Sequence, residues 1–577
     1  MATTTSPPSP DHPARPAHAS ELDHRLKVLR DNADAWARLP LTEKLEMARR
    51  LLRRSVDVAP RQVAAATRAK RIPEGSPLAG EEWLGGPVVI ARNLRLLIDT
   101  LEAIATHGKP VLKPGAVRTR RDGQVVVDVF PLSTLDKLMY QGFTAEVWME
   151  PGITPENLTE HTAGFYDQDL PEGQVALVLG AGNVSSIGPL DVVYKLFAEG
   201  QVCLLKMNPV NDYLGPFIEE AFAEFIERGF LAMAYGGADV GAYLCQHPGV
   251  DEIHITGSDR THDAIVYGTG AEGQARKTRD ERLIDKRITS ELGNVSPIIV
   301  VPGLWSDSEL QFQAENVATQ LANNGGFNCN AARVLITQKS WPQREPFLQR
   351  LRAVLSSIEK RVAYYPGAEQ RFDSFVNANQ DRAELFGPRD DGLLPWGLIP
   401  NVPADDSDNI CFTTESFCGV MCETSIAADS VGDFLNAATN FCNQTLWGTL
   451  SAAILIDPRT QRAEAAALEQ AIAKLRYGSV VINHWPAISY GLGVTPWGAF
   501  PGHTYQDIGS GIGVVHNTFL FDRPQKSVVR GPFKSFPKPP WFVTTKNTAA
   551  VAEQLTRFEL NPGALRFAGV LTRALRG

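Results

Sequence analysis

Residues 175–206 read VALVLGAGNVSSIGPLDVVYKLFAEGQVCLLK. Two short apolar runs, VALVL and VCLLK, bracket IGPLDVVYKLFAEG, which reads as a helix closed by Gly200. Gly180, Ala181 and Gly182 come directly after the first run. Strands that alternate with helices imply a parallel sheet covered by helices, so the fold class is α/β. EIHIT (252–256) continues the alternation, and Gly257 and Ser258 open the next segment of chain. After Pro209 the pattern predicts one amphipathic helix. Leu214, Phe217, Ile218, Ala221, Phe222, Phe225 and Ile226 share a face, and Glu219, Glu220, Glu224 and Glu227 fall away from it.

Further out, PIIVV (297–301), VLIT (334–337), AAILI (452–456) and SVVIN (479–483) repeat the alternation in a second region. Upstream, Glu21 to about Ala105 is helical in pattern, with apolar residues at three- and four-residue spacing. QVVVDVFPL after Pro110 alternates like a strand, and 140–172 reads as irregular. The charged run QARKTRDERLIDKR (274–287) reads as a solvated surface excursion. From Arg523 to Lys546 there are six basic residues, no acidic ones, and interleaved Pro and aromatics. That stretch reads as an extension wrapped over a neighbouring surface, the alternative being a basic stripe for an acidic partner or anionic substrate.

The chain has 577 residues, 44% hydrophobic and 21% charged, with a net charge of −9. This is an ordinary globular composition of roughly two or three domains. It excludes a mostly disordered chain, and it provides no overall basic field for nucleic acid. The apolar runs fall well short of the ~20 residues that span a bilayer. Seven Cys, an odd and sparse number, fit a reducing, cytoplasmic compartment. The first twenty residues lack an apolar signal core and are rich in Pro, Ser, Thr and Ala, which predicts a disordered tail.

Cys329 stands in NNGGFNCNAAR, where Gly and Asn permit tight turns and close approach of a substrate. A lone Cys is usually inert core, and a nucleophilic one usually needs a base. Glu291, in ELGNVSP just before PIIVV, is a candidate. Cys411, Cys418 and Cys422 lack paired CxxC spacing, and HExxH is absent, so no metal is expected.

Taken together, these segments resemble the aldehyde dehydrogenase superfamily, over roughly residues 20–520. ELGNVSPIIVV is similar to its ELGGKSP segment with the general-base Glu. NNGGFNCNAAR is similar to its N-x-G-Q-x-C segment with the catalytic Cys. TESFCGV (414–420) is similar to E-x-F-G-P-V, and ITGSDR to the FTGS turn. Asn183 in GAGNVSS resembles the Asn of P-W-N, and Lys206 ends VCLLK as the cofactor Lys ends VVLKP.

The resemblance implies a parallel-sheet cofactor domain, an α/β catalytic domain and small β oligomerisation elements. The expected layout is a tail over 1–20 and a dinucleotide-binding domain over 21–290, with part of the oligomerisation element near 120–160. Beyond these lie a catalytic domain over 291–480, a return segment over 481–520 and an extension over 521–577. The resemblance implies oxidation of a small-molecule aldehyde with NAD or NADP in a homodimer or homotetramer. Cys329 is the implied nucleophile, Asn183 the oxyanion donor and Glu291 the base that hydrolyses the thioester. Lys206, Gly257, Ser258, Glu415 and Phe417 are the implied cofactor contacts.

The sequence departs from the family in several places. Phe327 replaces the Gln two residues before the Cys, and Arg333 lies one residue closer than the family's Arg. Gly182 replaces an aromatic, and Pro209 replaces a Glu that binds the ribose, which leaves room for NADP. AGNVSSIGPL also resembles the acyl-CoA reductase branch, so a CoA-dependent acylating enzyme is the alternative. The altered loop and the unmatched tail leave a non-catalytic member of the fold as a third possibility.

Overall fold

The computed structural model describes residues 18–575. The expected tail therefore lies outside the described residues up to residue 17. From Ala19 the chain is helical.

A six-stranded sheet runs in the order Gly511–Ile512, Arg287–Glu291, Glu252–Thr256, Val175–Leu179, Val202–Lys206, Leu231–Ala234. Its last five strands are parallel. In chain order they stand 3-2-1-4-5, so the winding reverses between Val175–Leu179 and Glu252–Thr256. Helices cover both faces, which is why the central strands are continuous apolar runs rather than alternating ones. The first helix, Ala19–Ala37, packs Leu22, Leu26, Leu29, Ala33 and Trp36 against this sheet. Trp36 meets Phe197, Phe225 and Phe230 at ring distances of 5.1–5.8 Å.

The helix expected after Pro209 is broken. A 3-10 turn, Asp212–Leu214, precedes Gly215–Ala221 and Ala223–Glu227. Phe222 leaves helical geometry (φ −92°, ψ 15°), and its buried ring packs 5.7 Å from Phe225. Aromatic packing in the Trp36 cluster outweighs the continuous local pattern. The 274–287 segment is helical to Arg279 and mostly exposed.

The second sheet has eleven strands, from Val117–Thr119 at one edge to Glu384–Phe386 at the other. Its centre places Ser451–Leu455, Ser296–Val300 and Ala332–Gln338 side by side, all parallel. Residues 140–172 are not wholly irregular. Thr144–Met149 is a strand, antiparallel to both Val125–Phe130 and Pro524–Arg530. Its partners lie far off in the chain, so local sequence carries no sign of the pairing. Pro524–Arg530 also joins Ser479–Ile482 in parallel, so the stretch after Phe521 enters the sheet before turning away. Two helices, Thr548–Leu560 and Ala564–Ala574, complete the described chain.

Among the described residues no helix is long and apolar enough to cross a membrane. Nor, among them, are three His, Cys, Asp or Glu side chains grouped to hold a metal.

Candidate active site

The carboxyl ends of the parallel strands collect most of the expected residues. Asn183 follows Val175–Leu179, Lys206 ends its strand, Gly257 and Ser258 follow Glu252–Thr256, and Glu291 ends Arg287–Glu291. The winding reversal lies between the first and third of these, where open α/β sheets bind ligands. Gly257 N–H donates to the Glu291 carbonyl at 3.0 Å, which ties the Ser258 turn to the Glu291 strand end.

Cys329 comes from the other sheet, on the loop that enters Ala332–Gln338. Asn324, Gly325 and Gly326 in this loop take φ of 54°, 70° and 80°. A Cβ on Gly326 would stand 2.6 Å from the Cys418 carbonyl, so only glycine admits both the conformation and the approach. Arg333, buried, clamps the loop by donating to the carbonyls of Gly326 and Cys418, each at 2.7 Å. Arg371 holds the facing loop through the carbonyls of Ser416 and Phe417. Phe327 stacks on Tyr365 (5.8 Å) and meets Tyr364 edge-on (5.0 Å). An aromatic wall thus occupies the place where a Gln was expected.

Cys329 is the one cysteine of the seven that keeps partial exposure. It lies with Asn183 and Asn328 on a cavity of about 540 Å³. Its thiol and the Glu291 carboxyl are near enough for each to shift the other's titration. Desolvation, and then the Glu291 charge, hold the thiol well above its usual pKa. Burial pushes Glu291 up to about 7, against the opposing effects of the neighbouring Cys329 thiol and Trp497 indole. The Trp497 indole N–H donates to Glu291 Oε1 at 3.2 Å. The resting pair therefore holds a protonated thiol beside a carboxyl poised to exchange protons near neutrality.

Asn183 is fixed from behind. Its backbone carbonyl accepts from Lys70 Nζ (3.1 Å), Asn324 Nδ2 (3.0 Å) and Tyr364 OH (3.2 Å). Lys70 is itself buried and paired with Glu82 at 2.9 Å. The Asn183 amide commits one hydrogen to the Phe327 carbonyl at 2.8 Å; an amide nitrogen carries two.

Glu415 and Phe417 lie on the facing loop. Glu415 Oε1 accepts from Asn294 N–H at 3.2 Å, and burial raises its pKa to about 7. Phe417 has φ of 39° and its ring lies 4.9 Å from Tyr365. Lys206 is 8% exposed, and burial lowers the pKa of its ammonium. Ser258 caps the helix Asp259–Val266 by accepting from Thr261 N–H. With Thr261 N–H engaged, the Asp259 and Arg260 N–H groups are the ones an anion at that helix start would meet. A dinucleotide needs an anion site, a donor for one ribose and an acceptor for the other; this donor set fits.

Sequence reading missed Trp497, the Lys70–Glu82 pair and the clamping role of Arg333. Trp497 falls in the aromatic stretch 484–505, which signals it weakly. Nothing local marks Lys70, which lies just past the end of an ordinary amphipathic helix.

A family model described as the aldehyde dehydrogenase family matches residues 160–364. Among curated proteins, 4-trimethylaminobutyraldehyde dehydrogenase A of Danio rerio is 26% identical over 308 residues, 50% of this chain and 54% of that protein. The chain thus spans about half the length of that relative. An NADP-dependent glyceraldehyde-3-phosphate dehydrogenase from Bacillus halodurans, complexed with NADP, superposes with a TM-score of 0.59 at 17% identity, covering 88% of this chain and 91% of its own. An indole-3-acetaldehyde dehydrogenase complexed with NAD+ gives 0.59 at 18% identity, with 89% of each chain covered. Family model, relatives and fold together indicate the aldehyde dehydrogenase superfamily.

Proposed function

We propose that this superfamily chain oxidises a small-molecule aldehyde to the carboxylic acid with NAD or NADP. One observation carries the reading: the one partly exposed cysteine, Cys329, lies on a cavity together with Asn183 and beside the buried Glu291 carboxyl. Thiolate, not thiol, is the nucleophile. Cys329 gives up its proton to solvent, and its Sγ attacks the aldehyde carbon to form a thiohemiacetal. The second amide hydrogen of Asn183 and the Cys329 backbone N–H stabilise the oxyanion, a contribution of about 3–4 kcal/mol per donor. Loss of hydride leaves a thioester on Cys329. Glu291, ionised, takes a proton from water; the resulting hydroxide attacks the thioester carbon, the C–S bond breaks, and the acid leaves with Cys329 as thiolate.

Bound NAD(P)+ supplies the hydride acceptor. Lys206 and Glu415 are the ribose-binding candidates, Gly257 and Ser258 would border the pyrophosphate, and Phe417 would pack beside the nicotinamide. The TESFCGV loop, which carries Glu415 and Phe417, is pinned by Arg333 and Arg371.

Purified protein tested on short, long and aromatic aldehydes, with each cofactor and with or without CoA, decides the reaction. NAD(P)H formation independent of CoA is expected. Strict CoA dependence assigns the acylating reaction instead, and no signal with any aldehyde overturns the reading.

A further inference from the structure

The cavity that reaches Cys329 extends well beyond the reacting groups. Residues 532–574 make its far side. Its volume of about 540 Å³ lies inside the ~300–1,000 Å³ range of sites that bury a whole organic ligand. An aldehyde of two or three carbons would leave most of its wall without partner atoms. The cavity's lining includes the aliphatic side chains of Val88, Ile488, Leu492, Val551, Leu555 and Val570. Of its polar groups, Glu81 and Lys538 are committed to Arg361 and Glu315, while Asn330 Oδ1 and the Trp541 indole N–H are buried without partners and Lys534 is exposed. The mouth carries three exposed apolar side chains, Leu138, Phe536 and Leu571.

The far wall is fixed. Glu559, 1% exposed, ties the helix Thr548–Leu560 to Arg92 at 2.9 Å and Arg95 at 2.6 Å. Arg92 also donates to the Leu492 carbonyl at 3.0 Å, so one guanidinium joins two walls. At Gly80 the same helix comes so near that a Cβ would stand 2.3 Å from Thr548 Cγ2.

We infer that this cavity takes the hydrocarbon chain of a long-chain aldehyde, and that Val551, Leu555 and Val570 on the two C-terminal helices set which chain length fits. The aldehyde head group rests on the proposed oxidation; the chain site does not.

Turnover of n-alkanals from propanal to dodecanal tests the inference. kcat/KM is expected to climb about fourfold per methylene, the equivalent of ~0.8 kcal/mol, until the space is full. The total gain should exceed roughly a hundredfold. Leu555→Trp and Val570→Trp reduce the space. Each should lower the dodecanal-to-propanal ratio of kcat/KM by about tenfold or more, a ratio from which loss of folded protein cancels. Dodecanamide, which has the chain but no aldehyde, should slow alkylation of Cys329, and acetamide should not. A ratio that is flat with chain length, or equal protection by the two amides, overturns the inference. Protection by dodecanamide in a protein that oxidises no aldehyde would refute the oxidation and uphold the chain site.

Discussion

At the inner end of the cavity, three consecutive residues take positive φ, a guanidinium is buried against carbonyls, and two carboxyls are held near pKa 7. At the far wall, helices with ordinary backbone meet through aliphatic side chains, closed by the buried Glu559 between Arg92 and Arg95. The inner end spends conformational and desolvation energy to fix a few polar atoms. The far wall gains energy by excluding water. Replacements should therefore act on rate at one end and on stability or substrate size at the other.

The largest separation is expected from Glu291→Gln. Hydrolysis of the thioester should slow by about 10²–10⁴-fold, leaving one burst of NAD(P)H per site in rapid-mixing absorbance. The wild-type hydrolytic step should lose activity as pH falls through about 7, because Glu291 is held there instead of near 4.5. A pH-rate profile of the steady state with no inflection near neutrality would contradict the assignment. Because the Glu291 and Glu415 values are both raised, ionisation costs the folded state. Their contribution to stability is full below the ordinary carboxylate range and is lost as pH rises to about 7.

Glu559→Ala probes the opposite end. It strands Arg92, 1% exposed, without its main counter-ion. Urea unfolding should show a loss of about 3–5 kcal/mol. A neutral result would mean that the far wall is not held by this pair.

A pair of glycines refines the contrast. Gly326→Ala strains a positive-φ position against the Cys418 backbone. A shift of about 1 Å there should lower kcat by roughly 10²-fold. Gly80→Ala overpacks the wall against Thr548. It should cost about 1–3 kcal/mol in unfolding free energy, with a smaller effect on propanal turnover than Gly326→Ala has. Equal effects on rate would erase the distinction between the two ends.

The same contrast explains what the sequence made legible. Cys329, Glu291 and Asn183 stand in short segments where the chemistry restricts neighbouring residues, and the fold brings all three together. The parallel strands were legible because burial on both faces demands unbroken apolar runs. Thr144–Met149 was not, since its partners lie at 125–130 and 524–530. Trp497 reaches Glu291 across 206 positions of chain, a relation only tertiary structure expresses. The far wall needs volume and apolarity but no particular residue, so it leaves no motif. Phe327 and Arg333, which depart from the family pattern, are both structurally employed, one in aromatic stacking and one as a clamp.

The central claim is that an acyl group passes through the sulfur of Cys329. Glu291→Gln protein, mixed with an aldehyde and cofactor, quenched in acid and weighed intact, tests this directly. The account predicts a mass gain equal to the aldehyde less two hydrogens, mapped by peptide analysis to Cys329. An adduct on another residue, or turnover with no covalent adduct, would contradict it.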